Sequence, residues 1–271
     1  DSSPSRGLGD VYKRQPNKCC KLVDLWVNTF YGCKYTILCQ MAQEQETTYL
    51  VNMTNKDFLC LKNIIKSVTK DSCPNSINFH MHSTYSDGSL SPIEIYNQAL
   101  ELNIDHYAIT DHHSVDAYLE LVEIIESDYL DSSIFPKLWT GIEITCLLKG
   151  CLVHVLGLGF DPSSKHLLPY VEHRSAIGNE LLASNVVDSI HNANGIAVLA
   201  HPARYKLPFD ILINEASKLN FDAVETWYNY ERAPIWIPSE FICDKIFDCA
   251  NSYSLLSTCG TDTHGLSLLR R

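Results

Sequence analysis

The chain lacks the features that mark membrane-spanning, redox-active or zinc-knuckle proteins. None of its apolar runs reaches the roughly 18 residues that a membrane-spanning helix needs. Its 11 cysteines include no C-x-x-C pair, which argues against a zinc knuckle or a dithiol redox motif. Scattered cysteines in odd number are typical of reduced thiols. We therefore expect a cytoplasmic protein with no membrane attachment.

Positive charge is scarce in the part of the chain that carries the histidines. Residues 77–271 hold 11 Lys or Arg against 25 Asp or Glu, a net charge of −14, and they contain all 11 histidines. Such an acidic region is a poor candidate for binding extended duplex nucleic acid through a basic surface. An anionic substrate would need positive charge from another source, and bound divalent cations could supply it.

The sequence divides into three parts of different character. Residues 1–15 resemble translated adapter sequence, so we exclude them from the fold as an artefact. Residues 16–76 form a poorly defined N-terminal segment, in which Lys56–Val68 predicts a short amphipathic helix. Residues 77–271 predict the main domain, with a helical insertion at about 161–194. Its abrupt end in GLSLLRR raises the alternative that the domain is truncated at its C-terminus.

Short apolar segments alternate with helical periodicity from Ile77 onward. Ser91–Asn103 begins with the Ser, Pro and Glu of a capping box, and a long helix is predicted from about His166 to Asn194, before Gly195. Strands that alternate with helices predict a parallel α/β architecture. We expect a barrel rather than an open sheet, because the polar residues that end the strands would then gather around one mouth.

Histidines and acids follow these apolar segments one after another. The spacing of His80 and His82 aims two imidazoles at one face of a strand. A single histidine in such a place is usually an ordinary polar residue, but a succession of them indicates a metal site. Nitrogen donors mixed with carboxylates suit zinc, manganese or iron better than magnesium or calcium. The set comprises His80, His82, Asp87, Asp111, His112, Glu143, His154, His201, Asp262 and His264.

Six segments, taken in order, resemble the polymerase and histidinol phosphatase (PHP) family of metal-dependent phosphoesterases. They are HMHSTYSDGSLSP, ITDHHSV, GIEI, HVLGLGFD, IAVLAHPARY and GTDTHG, and they cover about Ile77 to Gly265. The chain is similar above all to the bacterial branch of nucleoside 3′,5′-bisphosphate phosphatases and 5′–3′ exoribonucleases. The resemblance implies a distorted seven-stranded β/α barrel with a small helical insertion. It also implies two to three divalent metal ions (Mn²⁺, Zn²⁺ or Fe²⁺) at the barrel mouth.

The same resemblance implies which residues hold each metal. Glu143 would bridge two metals, since it has two carboxylate oxygens, and a hydroxide shared by those metals would attack the phosphoryl group. Asp87 stands where some family members have histidine. The implied sets are His80, His82, Glu143 and Asp262 for the first metal, Glu143, His154 and His201 for the second, and Asp87, His112 and His264 for the third.

Other candidate residues surround this set. Asp111 could act in catalysis by orienting the neighbouring His112, or it could be a plain acid at a strand end. Arg204 resembles the family's phosphate-contacting arginine, and Arg174 in the insertion is a second candidate for the substrate phosphate. Trp227 and Tyr228 could stack on a base or pack in the core.

The leading prediction is a metal-dependent phosphoesterase with a small phosphorylated partner. Its substrates would be phosphate esters of nucleotides, either nucleoside 3′,5′-bisphosphates or short RNA 5′ ends. Histidinol-phosphate phosphatase remains an alternative, because it shares the metal set. A non-catalytic metal-binding PHP domain is a second alternative, although every expected ligand position holds a competent residue. A metal-dependent amidohydrolase is a third, and it would usually place a lysine at a strand end.

Overall fold

The computed structural model describes residues 55–127 and 136–270. The predictions for residues 1–15 and for residues 16–54 lie outside this part of the chain. Helix α1 (Asn55–Lys66) agrees with the amphipathic helix predicted over Lys56–Val68. Leu61 and Ile65, one helical turn apart, are buried in a core cluster shared with the strands. Helix α1 is therefore part of the folded domain.

Strands and helices alternate along the remainder of the described chain. The strands are β1 (Ile77–Asn78), β2 (His106–Ala108), β3 (Lys137–Trp139), β4 (Gly141–Leu148), β5 (Cys151–Leu158), β6 (Ile196–Leu199), β7 (Ala223–Trp227) and β8 (Leu256–Cys259). The helices are α2 (Pro92–Glu101), α3 (Asp116–Ser127), α4 (Ala183–Asn192), α5 (Phe209–Lys218) and α6 (Glu240–Ser252). Among the described residues, each helix is too short or too polar to cross a bilayer.

The capping box predicted for the first of these helices is confirmed. The Glu94 carboxylate accepts hydrogen bonds from the backbone nitrogen and the hydroxyl of Ser91, at 2.8 and 2.6 Å. Pro92 occupies the first turn, where no backbone donor is needed. Ile95 and Ala99 lie one turn apart and are fully buried. The apolar face of α2 thus packs onto the core cluster that contains β2 residues.

The strands form two sheets. Strands β1, β2 and β3 make a parallel three-stranded sheet, and β4 to β8 make a five-stranded sheet in sequence order. In the larger sheet β5 runs antiparallel to β4 and β6, whereas β6, β7 and β8 are parallel. A two-residue turn joins β4 and β5, with positive φ at Lys149 (51°) and Gly150 (76°), as tight hairpins require. The α/β class is confirmed.

The expected parallel, seven-stranded barrel is not confirmed, because the described residues form eight strands in two sheets. Isolated bridges between Met81 and Thr263 and between His112 and Glu143 join the sheets. The regular ladders of β2 and β8 end before these junctions, and the backbone beside the bridges takes positive φ, 51° at Asp262 and 52° at His113. The same junctions bring the segments that carry the candidate ligands side by side.

The long helical stretch predicted from about His166 to Asn194 is not one continuous helix. This stretch contains a 3₁₀ helix at Lys165–Tyr170, another at Gly178–Leu181, and then α4. Pro169 cannot donate a backbone hydrogen bond, and Gly178 takes a positive φ of 63°, so a continuous α-helix cannot pass through them. Only the last third of the predicted helix forms.

Candidate metal centre

The carboxylate of Glu143 lies at the middle of a cluster of imidazoles. Glu143 lies on β4 and is 1% exposed. One oxygen, Oε1, lies 2.6 Å from Nδ1 of His154 and 3.2 Å from Nε2 of His201. The other, Oε2, lies 3.2 Å from Nε2 of His80 and 3.0 Å from Nε2 of His82. Nδ1 of His112 is also 3.5 Å from Oε2. The two oxygens therefore face different sets of histidines, the arrangement that a bridging carboxylate requires.

Asp262 approaches the His80 and His82 pair as a second carboxylate. Its Oδ1 lies 3.3 Å from Nε2 of His80 and 3.2 Å from Nε2 of His82. Gly260 makes this approach possible, because a Cβ at that position would come within 2.2 Å of the His80 Cβ. The positive φ of Asp262 is an uncommon conformation for a non-glycine residue, and such conformations concentrate at functional sites.

Asp87 forms a more open group beside the first. The loop after β1 brings its Oδ1 to 3.5 Å from Nδ1 of His82, and its Oδ2 to 3.3 Å from Nε2 of His264. Nε2 of His112 lies 3.8 Å from the same Oδ2. The Asp87 side chain is 46% exposed, in contrast to the buried Glu143 and Asp262. This group therefore lies on the solvent side of the centre.

All nine predicted ligands meet in this region, with some differences from the predicted sets. Among the described residues, donor atoms within 4.8 Å of one another form four groups, and the imidazole nitrogens and carboxylate oxygens in them fit zinc, manganese or iron. The predicted ligand set of the first metal occurs unchanged. In the predicted set of the third metal, His82 is an additional member. In the predicted set of the second metal, His201 groups with His80 rather than with His154. The groups are His80, His82, Glu143 and Asp262; His82, Asp87, His112 and His264; His112, Glu143 and His154; and His80, His201 and Glu225.

The electrostatics of the cluster keep its carboxylates charged. Burial alone would favour the neutral acid, but the imidazoles of His154 and His80 hold the pKa of Glu143 well below its usual value. Asp262 also has a strongly lowered pKa, since His80 and His82 outweigh the effect of burial. Burial lowers the pKa of His112 to about 4. Charged carboxylates and a neutral imidazole are the forms that bind metal ions.

Burial acts against the charged form of two further histidines, but the net pKa shifts are opposite. Burial disfavours the charged form of His82, but hydrogen bonds to Asp262 and Glu143 outweigh it and raise its pKa to about 10. For His201, burial dominates over the attraction of Glu143 and lowers the pKa.

Glu225 is a site residue that sequence reasoning missed. It lies on β7 with no exposed surface, and its Oε1 is 2.9 Å from Nδ1 of His80. Its Oε2 accepts a hydrogen bond of 2.8 Å from the backbone nitrogen of His201. The Nδ1 contact directs Nε2 of His80 toward Glu143, as partners of metal-binding histidines commonly do. The available signal was a glutamate inside the apolar strand AVETW, since buried acids are rare unless paired.

Asp111 contacts a loop rather than the neighbouring His112. Its Oδ1 accepts a hydrogen bond of 2.7 Å from the backbone nitrogen of Ser83, and its Oδ2 accepts one of 2.6 Å from the Ser83 hydroxyl. The Ser86 hydroxyl also donates to Oδ1, at 2.5 Å. These bonds hold the loop that carries Asp87. The expectation that Asp111 orients His112 therefore does not match its contacts, and its position suits loop support.

The two candidate phosphate-binding arginines occupy different surroundings. Nη1 of Arg204 donates to Oδ2 of Asp262 at 2.8 Å and to the Tyr228 hydroxyl at 3.0 Å, so this side chain borders the metal cluster. Arg174 is 69% exposed, pairs with Glu172, and lines a cavity whose walls lie within 161–194. None of the four ligand groups in the described chain includes a residue of that cavity.

The two aromatic residues at the end of β7 pack inward. The hydroxyl of Tyr228 donates to Oδ2 of Asp262 at 2.5 Å, and the residue has no exposed surface. Trp227 is 7% exposed and stacks on Phe247 with ring centroids 5.6 Å apart. Core packing therefore accounts for both side chains better than base stacking does.

Comparison with known proteins places this fold and cluster in a family. A model of the PHP domain matches residues 78–219, which is more than half of the chain. The chain therefore belongs to the PHP domain family. A 5′–3′ exoribonuclease of Haemophilus influenzae is 27% identical over 150 residues, covering 51% of this chain and 53% of that protein. The chain thus spans about half the length of that relative.

Solved structures show the same fold at low sequence identity. An amidohydrolase from Chromobacterium violaceum, with bound sulfate and no metal, superposes with a TM-score of 0.57 at 18% identity. That match covers 70% of this chain and 88% of the other. A candidate metal-dependent phosphoesterase from Bifidobacterium adolescentis gives a TM-score of 0.56 at 20% identity, covering 73% and 91%. These likenesses support the fold.

Proposed function

We propose that the chain is a metal-dependent phosphoesterase that hydrolyses phosphate esters of nucleotides. Its substrate class would be nucleoside 3′,5′-bisphosphates or short RNA 5′ ends. The observation that carries the proposal is Glu143, whose two oxygens face separate sets of histidines inside a buried cluster. The exoribonuclease from Haemophilus influenzae supports the choice of nucleotide substrates.

The residues of the cluster suit this chemistry. Divalent cations, when bound, would neutralise phosphate charge and make water a nucleophile near neutral pH. His80, His82 and Asp262 would hold one cation together with Glu143. His154 and His201 would hold another, because both contact Oε1 of Glu143, although their nitrogens fall in different ligand groups. His112 and His264 would hold a third with Asp87 on the solvent side.

Arg204 would take the substrate phosphate beside the cluster. Its Nη1 is fixed by Asp262 and Tyr228, which leaves the guanidinium plane oriented at the edge of the ligand groups. A guanidinium fork matches two phosphate oxygens, which a lysine ammonium cannot do. Asp111 would contribute by holding the loop of Asp87 through Ser83 and Ser86.

A phosphate-release screen tests the proposal. Purified protein is supplied with Mn²⁺, Zn²⁺ or Fe²⁺ and offered nucleoside 3′,5′-bisphosphates, 5′-phosphorylated short RNA and histidinol phosphate. We expect the nucleotide substrates to be hydrolysed with the highest kcat/KM. A clear preference for histidinol phosphate would reassign the substrate, and no hydrolysis of any ester by metal-loaded protein would favour a non-catalytic domain.

Replacing Glu143 with Ala separates real activity from contamination. We expect Glu143→Ala to abolish hydrolysis nearly completely, because both ligand sets lose their shared carboxylate. Glu240→Ala is the matched control, since the Glu240 side chain is 80% exposed. Activity of Glu143→Ala within about tenfold of the parent would contradict the bridging role.

A further inference from the structure

Two arginines of the described chain are left without an acidic partner. Of its four arginines, Arg174 pairs with Glu172 and Arg204 pairs with Asp262. Across residues 55–127 and 136–270, Arg232 and Arg270 have no carboxylate within 4.0 Å. In a region with a net charge of −14, two unpaired guanidiniums are unusual, since acids outnumber basic residues more than twofold.

The same two arginines line one cavity beside the candidate metal centre. This cavity of about 470 Å³ is lined by Arg232, Ala233, Pro234, His264 and Arg270. His264 belongs to both places, because its Nε2 lies 3.3 Å from Asp87 in the solvent-side ligand group. A ligand in the cavity would therefore lie next to that group. Its volume is in the range of small-molecule sites.

The backbone on the Arg232 side of the cavity is held by a buried side chain. Asn229 is 1% exposed, its Nδ2 donates to the Ala233 carbonyl at 3.1 Å, and its Oδ1 accepts from the Ala233 nitrogen at 3.0 Å. The backbone nitrogen of Glu231 donates to the Ser239 hydroxyl at 3.0 Å. These bonds fix the turn on which Arg232 lies.

Similar bonds fix the Arg270 side and tie it to the first. The hydroxyl of Thr263, between Asp262 and His264, donates to the Arg270 carbonyl at 2.6 Å. The Trp236 nitrogen donates to the Leu269 carbonyl at 2.8 Å, which joins the two walls. Trp236 and Leu268 are buried and anchor their segments in the core. Both arginines thus extend from positioned backbone, which reduces the entropy that ordering a binding site costs.

We propose that Arg232 and Arg270 form a subsite for a second phosphate of the substrate, distinct from the phosphate that is hydrolysed. This inference rests on the proposed function. Two guanidiniums that face one cavity can bind a phosphate through paired N–H donors. The cavity adjoins the ligand group of Asp87 and His264, so one nucleotide could span both places. The subsite would select nucleotides that carry two phosphates, or an RNA strand, over simple monoesters.

The test compares two substrates on the metal-loaded full chain. Kinetics are measured with a nucleoside 3′,5′-bisphosphate and with p-nitrophenyl phosphate, for the parent, Arg232→Gln, Arg270→Gln and the double variant. We expect kcat/KM for the bisphosphate to fall about tenfold or more in the double variant, equivalent to about 1.4 kcal/mol. With p-nitrophenyl phosphate it should stay within about twofold. Lys165→Gln, which removes an exposed charge outside the cavity, is the matched control.

Each alternative result has one meaning. An equal loss with both substrates would overturn the proposal, since the arginines would then act on the hydrolysed phosphate or on the metal centre. No loss with either substrate would overturn it too. If the parent hydrolyses no ester, the proposed function fails, and calorimetric binding of the bisphosphate still tests the subsite. Weaker binding by the double variant than by Lys165→Gln would then support the subsite, and equal binding would refute it.

Discussion

Glu225→Gln provides the sharpest test of how the metal centre is organised. The substitution keeps the size of the side chain but leaves one acceptor oxygen in place of two. In the parent, one carboxylate oxygen is 2.9 Å from Nδ1 of His80 and the other accepts from the His201 nitrogen at 2.8 Å. An amide can satisfy only one of these two donors, so either the His80 ring or the His201 backbone loses its partner.

The expected magnitude follows from the role of such partners. Removing the group that orients a metal-binding histidine typically weakens metal affinity by 10- to 100-fold. This corresponds to about 1.4–2.7 kcal/mol of binding free energy. Because Glu225 is fully buried, water cannot replace the lost acceptor in the way it would at the surface.

Metal affinity is measured by competition with a chromophoric chelator at fixed pH, using Zn²⁺ or Mn²⁺. Glu240→Gln is the control, because it makes the same chemical change in a side chain that is 80% exposed. Thermal unfolding of the metal-free proteins separates orientation of the ligand from general stability. Affinity within about twofold of the parent would refute the reasoning. A loss of metal-free stability with unchanged affinity would assign Glu225 a purely structural role.

Three further predictions concern metal binding, phosphate binding and pH. Metal added at 100 times its Kd should raise the free energy of unfolding by about 2.7 kcal/mol. Elemental analysis should find two to three metal ions per chain, and fewer than about one ion per chain would contradict the predicted metal centre. Arg204→Lys should raise KM for a nucleotide bisphosphate roughly tenfold in steady-state kinetics, because lysine lacks the bidentate fork; an unchanged KM would exclude phosphate contact. The hydrogen bond to Asp222 raises the pKa of His191 above its usual value, with support from Asp188 and opposition from burial and Lys62. This stabilisation is fully present below the unfolded pKa of about 6.5 and is lost as pH rises through the folded pKa. The stability gap between the parent and His191→Gln in urea unfolding should therefore be larger at pH 5.5 than at pH 9, and a gap that widens with pH would show the sign to be wrong.

The residue types of the centre could be predicted from sequence because they depend on local pattern. The i, i+2 spacing of His80 and His82 after an apolar segment already places both imidazoles on one side of the chain, and the structure brings both to Glu143. The capping box of Ser91 and Glu94 was equally visible, since its two hydrogen bonds join residues three positions apart.

The tertiary structure decided what depends on contacts between distant parts of the chain. Glu225 and His80 are 145 positions apart, so no periodicity could reveal that one orients the other. The sheets meet through isolated bridges between Met81 and Thr263 and between His112 and Glu143, and strand patterns alone could not show which segments pair. Arg232 and Arg270 are ordinary charges in the sequence, and only folding brings them to one cavity with His264. Local sequence determines which ligand donors exist and which face of a helix or strand presents them. Packing determines which donors meet, because the positions of distant segments depend on how the whole core is filled.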